Sequence, residues 1–502
     1  MDQFENLEPV GFIPSLANHA KEKVDSTPYT TFYQRFAHTY PEWASEADAF
    51  MKHKLVGYSE ERQRIQEKKM DKLPVYPSDD FIKLAEEFTY RMYKSCLEAK
   101  LTVSPSVHGS KSPAFPYTQA GFSTKAEAIM SEFHKDLMMS KPTPIWKDSA
   151  KGGEALPLED LETGKLRTFS QVPLFFALYQ KFFFEDQNDR MKDNHGKTWG
   201  QYGWVKQYGG FDRMFRQFEK FLTRVMGDVS GWDRSIFLKI VYELRKRGLL
   251  TANPWIQDDK QLMDLLLYTI QNTVNPVTSF VDGTIWRRKT GNCSGSNNTT
   301  TDNTLAHSVV LFYFFIWRYH TVHGVMPEYE QVTDYVVAKL FGDDSAFALD
   351  ILHFGFNNPE ELRDTLVEAY SRFGLTLKDK AVHIDWENPG KVQGIEFLGA
   401  TGVYSAKFKM YVPQPRISKL AFSLACSNEN GLLETEIQKA VTIWDLVCLV
   451  DTDFKHIVHK YCVYLYETSR DQHFDGVGDS FIRDLERVIA GDIDWQLIQG
   501  FE

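Results

Sequence analysis

The chain has 502 residues and carries 57 Lys and Arg against 68 Asp and Glu, a formal net charge of −11. That balance disfavours a protein that coats nucleic acid through a basic surface, although an acidic shell can still enclose a basic channel. Apolar residues make up 43% and aromatics 14%, and the length exceeds one ordinary core, so several subdomains or one large fold with insertions are expected.

Cys96, Cys293, Cys426, Cys448 and Cys462 are scattered without a paired CxxC spacing. This points to reduced thiols in a cytosolic setting and away from a disulfide framework or a zinc site. The amino terminus, MDQFENLEPVGF, lacks the basic-then-apolar design of a signal segment. The longest apolar run, 309–317, is too short to span a bilayer, and the chain reads as soluble without a transmembrane segment.

Taken in order, residues 1–45 are rich in Pro and aromatics and suit a segment wrapping over a larger body. Alternating charge over 60–72 reads as a solvated helix face. Phe81, Leu84, Phe88 and Met92 mark one side of an amphipathic helix over 79–100. The Ser, Pro and Gly-rich stretch 104–124 is a loop, ordered by Phe115, Tyr117 and Phe122. In 147–170, Lys147, Lys151, Lys165 and Arg167 surround Gly-containing turns. A Lys-x-Arg on a strand after a turn suits a phosphate clamp, although by itself the stretch reads first as an ordinary exposed hairpin. A helix leads into a strand over 211–226, a helix follows at 235–248, and 278–289 forms a hairpin around Asp282-Gly283. Helices are expected over 301–320 and 358–374. From 405 the pattern is helical to the end, apart from a Pro-containing link at 411–416.

Three stretches carry the chemistry. In 334–350, an apolar run, Gly342-Asp343-Asp344 and a second apolar run make a tight hairpin with an acidic tip. Such a triplet alone is usually a solvated turn, but adjacent carboxylates between apolar flanks call for a counter-ion, and an all-oxygen set suits Mg²⁺. In 227–237, Asp228 ends the apolar strand 221–226, and Asp233 stands where the chain enters a helix, a position that also suits an N-cap. If the two strands are neighbours, Asp228 and Asp343 can clamp two metals about 4 Å apart, the arrangement for in-line phosphoryl displacement. In 290–304, small and hydroxyl residues run straight into a helix that presents Asn303, either as a ligand-approaching loop or as a plain capping loop.

Together, Asp228 and Asp233, then Ser294, Gly295, Thr299 and Asn303, then Gly342, Asp343 and Asp344 resemble motifs A, B and C of a viral RNA-dependent RNA polymerase. The wording DVSGWD with SGSNNTTTDNT is most similar to positive-strand RNA viruses of the sobemovirus and astrovirus-like group. The resemblance runs over 111–399. Lys165 and Arg167 fit the basic strand over the triphosphate (motif F), and KSPAFPY at 111–117 fits the template entrance (motif G). YSRFGLTLKDK at 370–380 fits the proton-donating lysine segment (motif D), with Lys380 the best match and Lys378 a possible substitute. GIEFLG at 394–399 fits the primer-grip hairpin (motif E). The family's usual Tyr before Gly-Asp-Asp is Phe341 here, which leaves metal binding untouched.

The resemblance implies an α+β right-hand polymerase with an antiparallel palm sheet, closed from fingertips to thumb. Fingers would take 1–210 and 249–289, the palm 211–248 and 290–404, and the thumb 405–502. It implies two Mg²⁺ ions, with Mn²⁺ as a substitute, on Asp228 and Asp343, and Asp344 as a weaker or outer ligand. It assigns nucleotide binding to Lys165, Arg167, Asp233, Ser294, Gly295, Thr299 and Asn303, with Asp233, Thr299 and Asn303 reading the ribose 2′-hydroxyl. Lys151, Ser112, Arg287, Arg288, Lys289 and Phe397 would contact RNA, although 287–289 read equally as a solvated strand end. Partners would be template and nascent RNA, ribonucleoside triphosphates, a protein primer and other replicase proteins, which would recruit the enzyme to membrane-associated complexes in the host cytoplasm. The alternatives are a reverse transcriptase-like palm polymerase, a non-catalytic RNA-binding replicase subunit and a two-metal nuclease. The first usually carries a bulky ring in place of Asp233, the second would have lost a metal ligand, and the third needs no ribose-reading set.

Overall fold

The computed structural model describes residues 5–18, 20–27, 29–73, 75–151, 154–378, 382–426, 432–450, 452–469 and 478–493. Its centre is a four-stranded antiparallel sheet in the order Val336–Phe341, Asp344–Leu349, Thr223–Gly227, His383–Asp385. Strand alternation sends Val336, Ala338 and Leu340 to one side, against the Thr299–His323 helix and its neighbours Asp80–Leu97, Leu238–Ala252 and Pro359–Ser371. Val337 and Phe341 go to the other side and pack with Phe211, Phe215 and Phe397. Both faces are covered, which is why the strands read as nearly unbroken apolar runs. The Thr299–His323 helix is buried at every residue from Thr301 to Ile316, so it shows no amphipathic stripe.

A five-stranded sheet in the order Glu8–Phe12, Thr284–Arg287, Val277–Ser279, Ile145–Ala150, Thr168–Gln171 lies beside this body, with one parallel pairing between Ile145–Ala150 and Val277–Ser279. The 147–170 stretch is therefore no simple hairpin. Its middle, Ala155–Pro157, pairs instead with His53–Leu55, and Lys165 and Arg167 precede the Thr168–Gln171 strand rather than lying in it. Glu60–Lys68 is a helix as expected, and Glu61, Arg64 and Lys68 form the solvated face, but its other face is not solvated. Gln63, Gln66 and Glu67 are buried because other elements supply polar partners for them.

A three-stranded antiparallel sheet joins Glu396–Phe397, Ala400–Ser405 and Met410–Pro415. The expected link at 411–416 is thus an edge strand, a place where proline's missing N–H is tolerated. Among the described residues four helices follow: Ile417–Ala425, Leu433–Val447, Asp453–Ser469 and Gly478–Ile489. Ile437, Trp444, Ile457, Tyr461 and Leu485 form their core. Phe32, Tyr33 and Phe36, on the helix Thr31–Thr39, enter the same core, and the Phe36 and Tyr461 rings lie 5.1 Å apart. The strand Glu8–Phe12 thus pairs into the five-stranded sheet, and the helix Thr31–Thr39 packs into the carboxyl-terminal helices. Among the described residues no helix is long and apolar enough to cross a membrane. All five cysteines are buried and free.

Candidate active site

Phe341 pairs with Asp344, which leaves Gly342-Asp343 as a two-residue turn. Gly342 has φ +65°, the conformation such a turn requires at its first position. The turn is pinned to the 299–323 helix from both sides. Gly342 N–H donates to Thr304 Oγ1 at 3.1 Å, and His307 Nδ1–H donates to the Gly342 carbonyl at 2.9 Å. His307 Nε2 accepts from the Tyr370 hydroxyl at 2.6 Å, and burial pushes the imidazole pKa down to about 4, so the ring stays neutral.

On the next strand, Gly227 is registered with Ser345. Continuing that register sets Asp228 across from Asp344, and three carboxylates from two distant stretches meet at one end of the sheet. Burial, then the charges of Asp233 and Asp228, pushes the Asp343 pKa up to about 6 against the opposing pull of Lys378. Burial, then Asp343, Asp228 and Glu396, pushes Asp344 to about 7 against Arg416. Lys378 Nζ donates to Asp228 Oδ2 at 2.5 Å, and Arg416 pairs with Glu396. Among the described residues no group of three His, Cys, Asp or Glu stands ready as a cage for a metal. The donor set nevertheless fits a hard cation: it is all oxygen, mutually repelling and faced by an ammonium where a cation belongs.

Beside the carboxylates, Asn303 Nδ2 donates to Asp233 Oδ1 at 2.6 Å, and Asn292 Nδ2 donates to Asn303 Oδ1 at 3.0 Å. These bonds fix the Asn303 amide. Burial holds the Asp233 pKa above the usual carboxylate range, against Asn303, Arg234 and Arg288. Thr299 Oγ1 lies 2.9 Å from both the Cys293 and Ser296 carbonyls and so closes the loop onto the helix. Ser294 is exposed, and its Oγ accepts from Ser170 N–H at 3.4 Å. A Cβ at Gly295 would stand 1.7 Å from the Ser170 carbonyl oxygen, so only glycine lets the loop approach the Thr168–Gln171 strand this closely.

Residues 36–444 match the model of a family described as viral RNA-dependent RNA polymerase. The chain belongs to that family. It is 23% identical to the non-structural polyprotein 1AB of Turkey astrovirus 2 over 69% of its own length and 21% of the polyprotein's. It is 27% identical to the genome polyprotein of Zucchini yellow mosaic virus (strain Singapore) over 42% of its length and 7% of that protein's. With the genome polyprotein of Watermelon mosaic virus II (isolate USA) it shares 31% over 34% of its length and 16% of that protein's. The chain thus spans about a fifth or less of these relatives.

The other basic residues singled out in the sequence are held in ion pairs of their own. Lys165 is paired with Asp160 at 2.7 Å, Arg167 with Glu154 at 2.9 Å and Lys151 with Glu154 at 3.3 Å. Ser112 is exposed and caps Ala114 N–H at 3.2 Å, Lys289 is exposed, and Arg287 is half-buried in its strand. Two expected RNA contacts are corrected. Arg288 is 1% exposed and its Nη1 donates to Cys293 Sγ at 3.4 Å, while Phe397 is 1% exposed and packs on Trp204. Neither side chain reaches a surface that RNA could touch. Lys380 lies outside the described residues.

Several site neighbours escaped the sequence reading. Arg234 Nη1 donates to Gln66 Oε1 at 3.0 Å, tying the residue after Asp233 to the 60–68 helix. Asp302 is buried with Arg245 at 2.6 Å and accepts from the Tyr242 hydroxyl at 2.9 Å, locking the 299–323 helix to the 238–252 helix. Asp302 lies one residue from Asn303, and Arg234 directly follows Asp233, so adjacency was the one signal available. Gln66 and Arg416 carried none.

Proposed function

We propose that the chain makes RNA on an RNA template from ribonucleoside triphosphates by two-metal phosphoryl transfer, replicating and transcribing a positive-strand RNA virus genome. The observation that carries this reading is the convergence of Asp228, Asp343 and Asp344 at one sheet end beside the Asp233–Asn303 pair. Asp228 and Asp343 would hold Mg²⁺, with Asp344 as a weaker ligand, and the ions supply charge neutralisation and an activated primer 3′-hydroxyl. Mn²⁺ is a chemically suitable substitute.

The chain's own groups do the rest. Asp233 Oδ2 makes no hydrogen bond among the described residues, which leaves it to accept from a ribose 2′-hydroxyl while Asn303 holds Oδ1. Ser294, Gly295 and Thr299 shape the loop beneath the nucleotide. Lys165 and Arg167 exchange Asp160 and Glu154 for phosphate oxygens when triphosphate enters. Lys378, already at Asp228, gives a proton to the departing pyrophosphate, and Lys380 is the other candidate for that step. Lys151, Ser112, Arg287 and Lys289 remain the surface contacts to RNA.

In this reading the central sheet with 211–248 and 290–404 is a palm, 1–210 and 249–289 are fingers, and 405–502 is a thumb. Insertion of Phe36 among the carboxyl-terminal helices supports closure by the amino-terminal segment. Protein priming, other replicase proteins and membrane-associated complexes in the host cytoplasm complete the proposal. Its test is Mg²⁺-dependent extension of a primed RNA template, with Asp228→Asn alongside. Extension by the native chain and none by the variant is expected; equal extension by both would overturn the assignment.

A further inference from the structure

A cavity of about 670 Å³ opens between the 195–209 segment, the helix Gly210–Phe218 and the outer edge of the 336–341 strand. The segment is fastened to that edge. Leu340 N–H donates to the Trp199 carbonyl and Gln201 N–H to the Leu340 carbonyl, each at 2.8 Å. Lys339, Arg213 and His195 line the cavity with the amides of Gln201 and Gln217 and the ring of Trp204; none of the described residues lining it is Asp or Glu.

Lys339 is the decisive group. Strand alternation turns it away from the 299–323 helix, and it is 6% exposed. Among the described residues its ammonium has neither an ion pair nor a hydrogen bond. Burial pushes its pKa down to about 8, and among the described residues no carboxylate offsets that shift. A buried ammonium is costly without a counter-charge, and the cavity has the size of a small-ligand site. Arg213 adds a second cation; its Nη1 donates to the neutral Tyr208 carbonyl at 3.0 Å.

We propose that this cavity binds the phosphate group of a nucleotide, free or within an RNA backbone, with Lys339 and Arg213 as its counter-charges. The site is separate from the carboxylate centre and rests on the polymerase reading only for its supply of nucleotides. A phosphate here would brace the strand that leads into Gly342-Asp343.

The test is site-resolved acylation of Lys339 in the full chain, read by mass spectrometry without Mg²⁺. The probes are pyrophosphate, a ribonucleoside triphosphate and a short RNA duplex. Saturable, several-fold protection of Lys339 is expected, the same in Asp343→Asn and weakened in Arg213→Gln. Protection by the small phosphates assigns a free nucleotide, and protection by the duplex alone assigns the backbone. Unchanged labelling with all three probes, or protection that vanishes in Asp343→Asn, overturns the proposal.

Discussion

Asp343 and Asp344 share a hairpin tip with Asp228 opposite, and their raised pKa values, about 6 and about 7, record burial and mutual repulsion. Asp343→Ala should therefore abolish RNA synthesis while leaving the melting temperature unchanged or higher; a clear drop in melting temperature would contradict this account of the tip. Mg²⁺ bound as proposed would displace protons from these carboxylates, so its affinity should weaken as pH falls through the range of about 7 to 6 and tighten above it. Calorimetric titration in buffers of different protonation enthalpy would show the proton release. At Asp233, Ala substitution removes the acceptor proposed for the 2′-hydroxyl. The preference for rNTP over dNTP should then narrow by about 1–3 kcal/mol, roughly 5–150-fold, in kcat/KM ratios. The carboxylates were legible because each stands at a boundary that apolar runs and glycine mark. The ion pairs of Lys165 and Arg167 were not, because Asp160 and Glu154 face them only after the strand and helix between them fold.

Among elements, the motif B loop and the 60–68 helix show opposite degrees of legibility. Gly295 signalled close backbone approach, and the structure supplies the neighbour, the Ser170 carbonyl. Gly295→Ala should push the loop off the 168–171 strand and cut synthesis sharply while the chain still folds; unimpaired extension would show that this approach is unimportant. The 60–68 helix looked solvated because its residues are polar, yet Glu67 sits beside Asp148 and accepts from Val281 N–H at 2.8 Å. Burial and the Asp148 charge hold the Glu67 pKa well above its usual 4.5, so at neutral pH the folded chain keeps a proton that the unfolded chain releases. This contribution favours the fold at low pH and is lost as pH rises above the ordinary glutamate range. Glu67→Gln should thus raise the melting temperature at mildly alkaline pH and flatten its pH dependence; a steeper dependence would contradict the buried-proton account. Buried polar partnerships over such sequence distances leave no periodic trace, whereas the 299–323 helix announced itself by apolar content alone.

Across the whole molecule, the Glu8–Phe12 strand pairs by its main chain with the five-stranded sheet, and the Thr31–Thr39 helix inserts Phe36 among the carboxyl-terminal helices. Phe36 is fully buried, and Phe36→Ala should cost about 3–5 kcal/mol, seen as a lower melting temperature and faster proteolysis of the amino-terminal segment. The wrapping segment was legible from its aromatic content, but its docking partners were not, because the helical pattern after 405 specifies an apolar face without specifying what covers it. The edge strand Met410–Pro415 was missed because its prolines read as a break. Ribonucleotide polymerisation on an RNA template is decided by extension of a primed RNA with the purified chain and Mg²⁺, comparing rNTPs with dNTPs. Templated extension with rNTPs alone is expected; extension with dNTPs at equal efficiency would rule out a ribose-reading RNA polymerase.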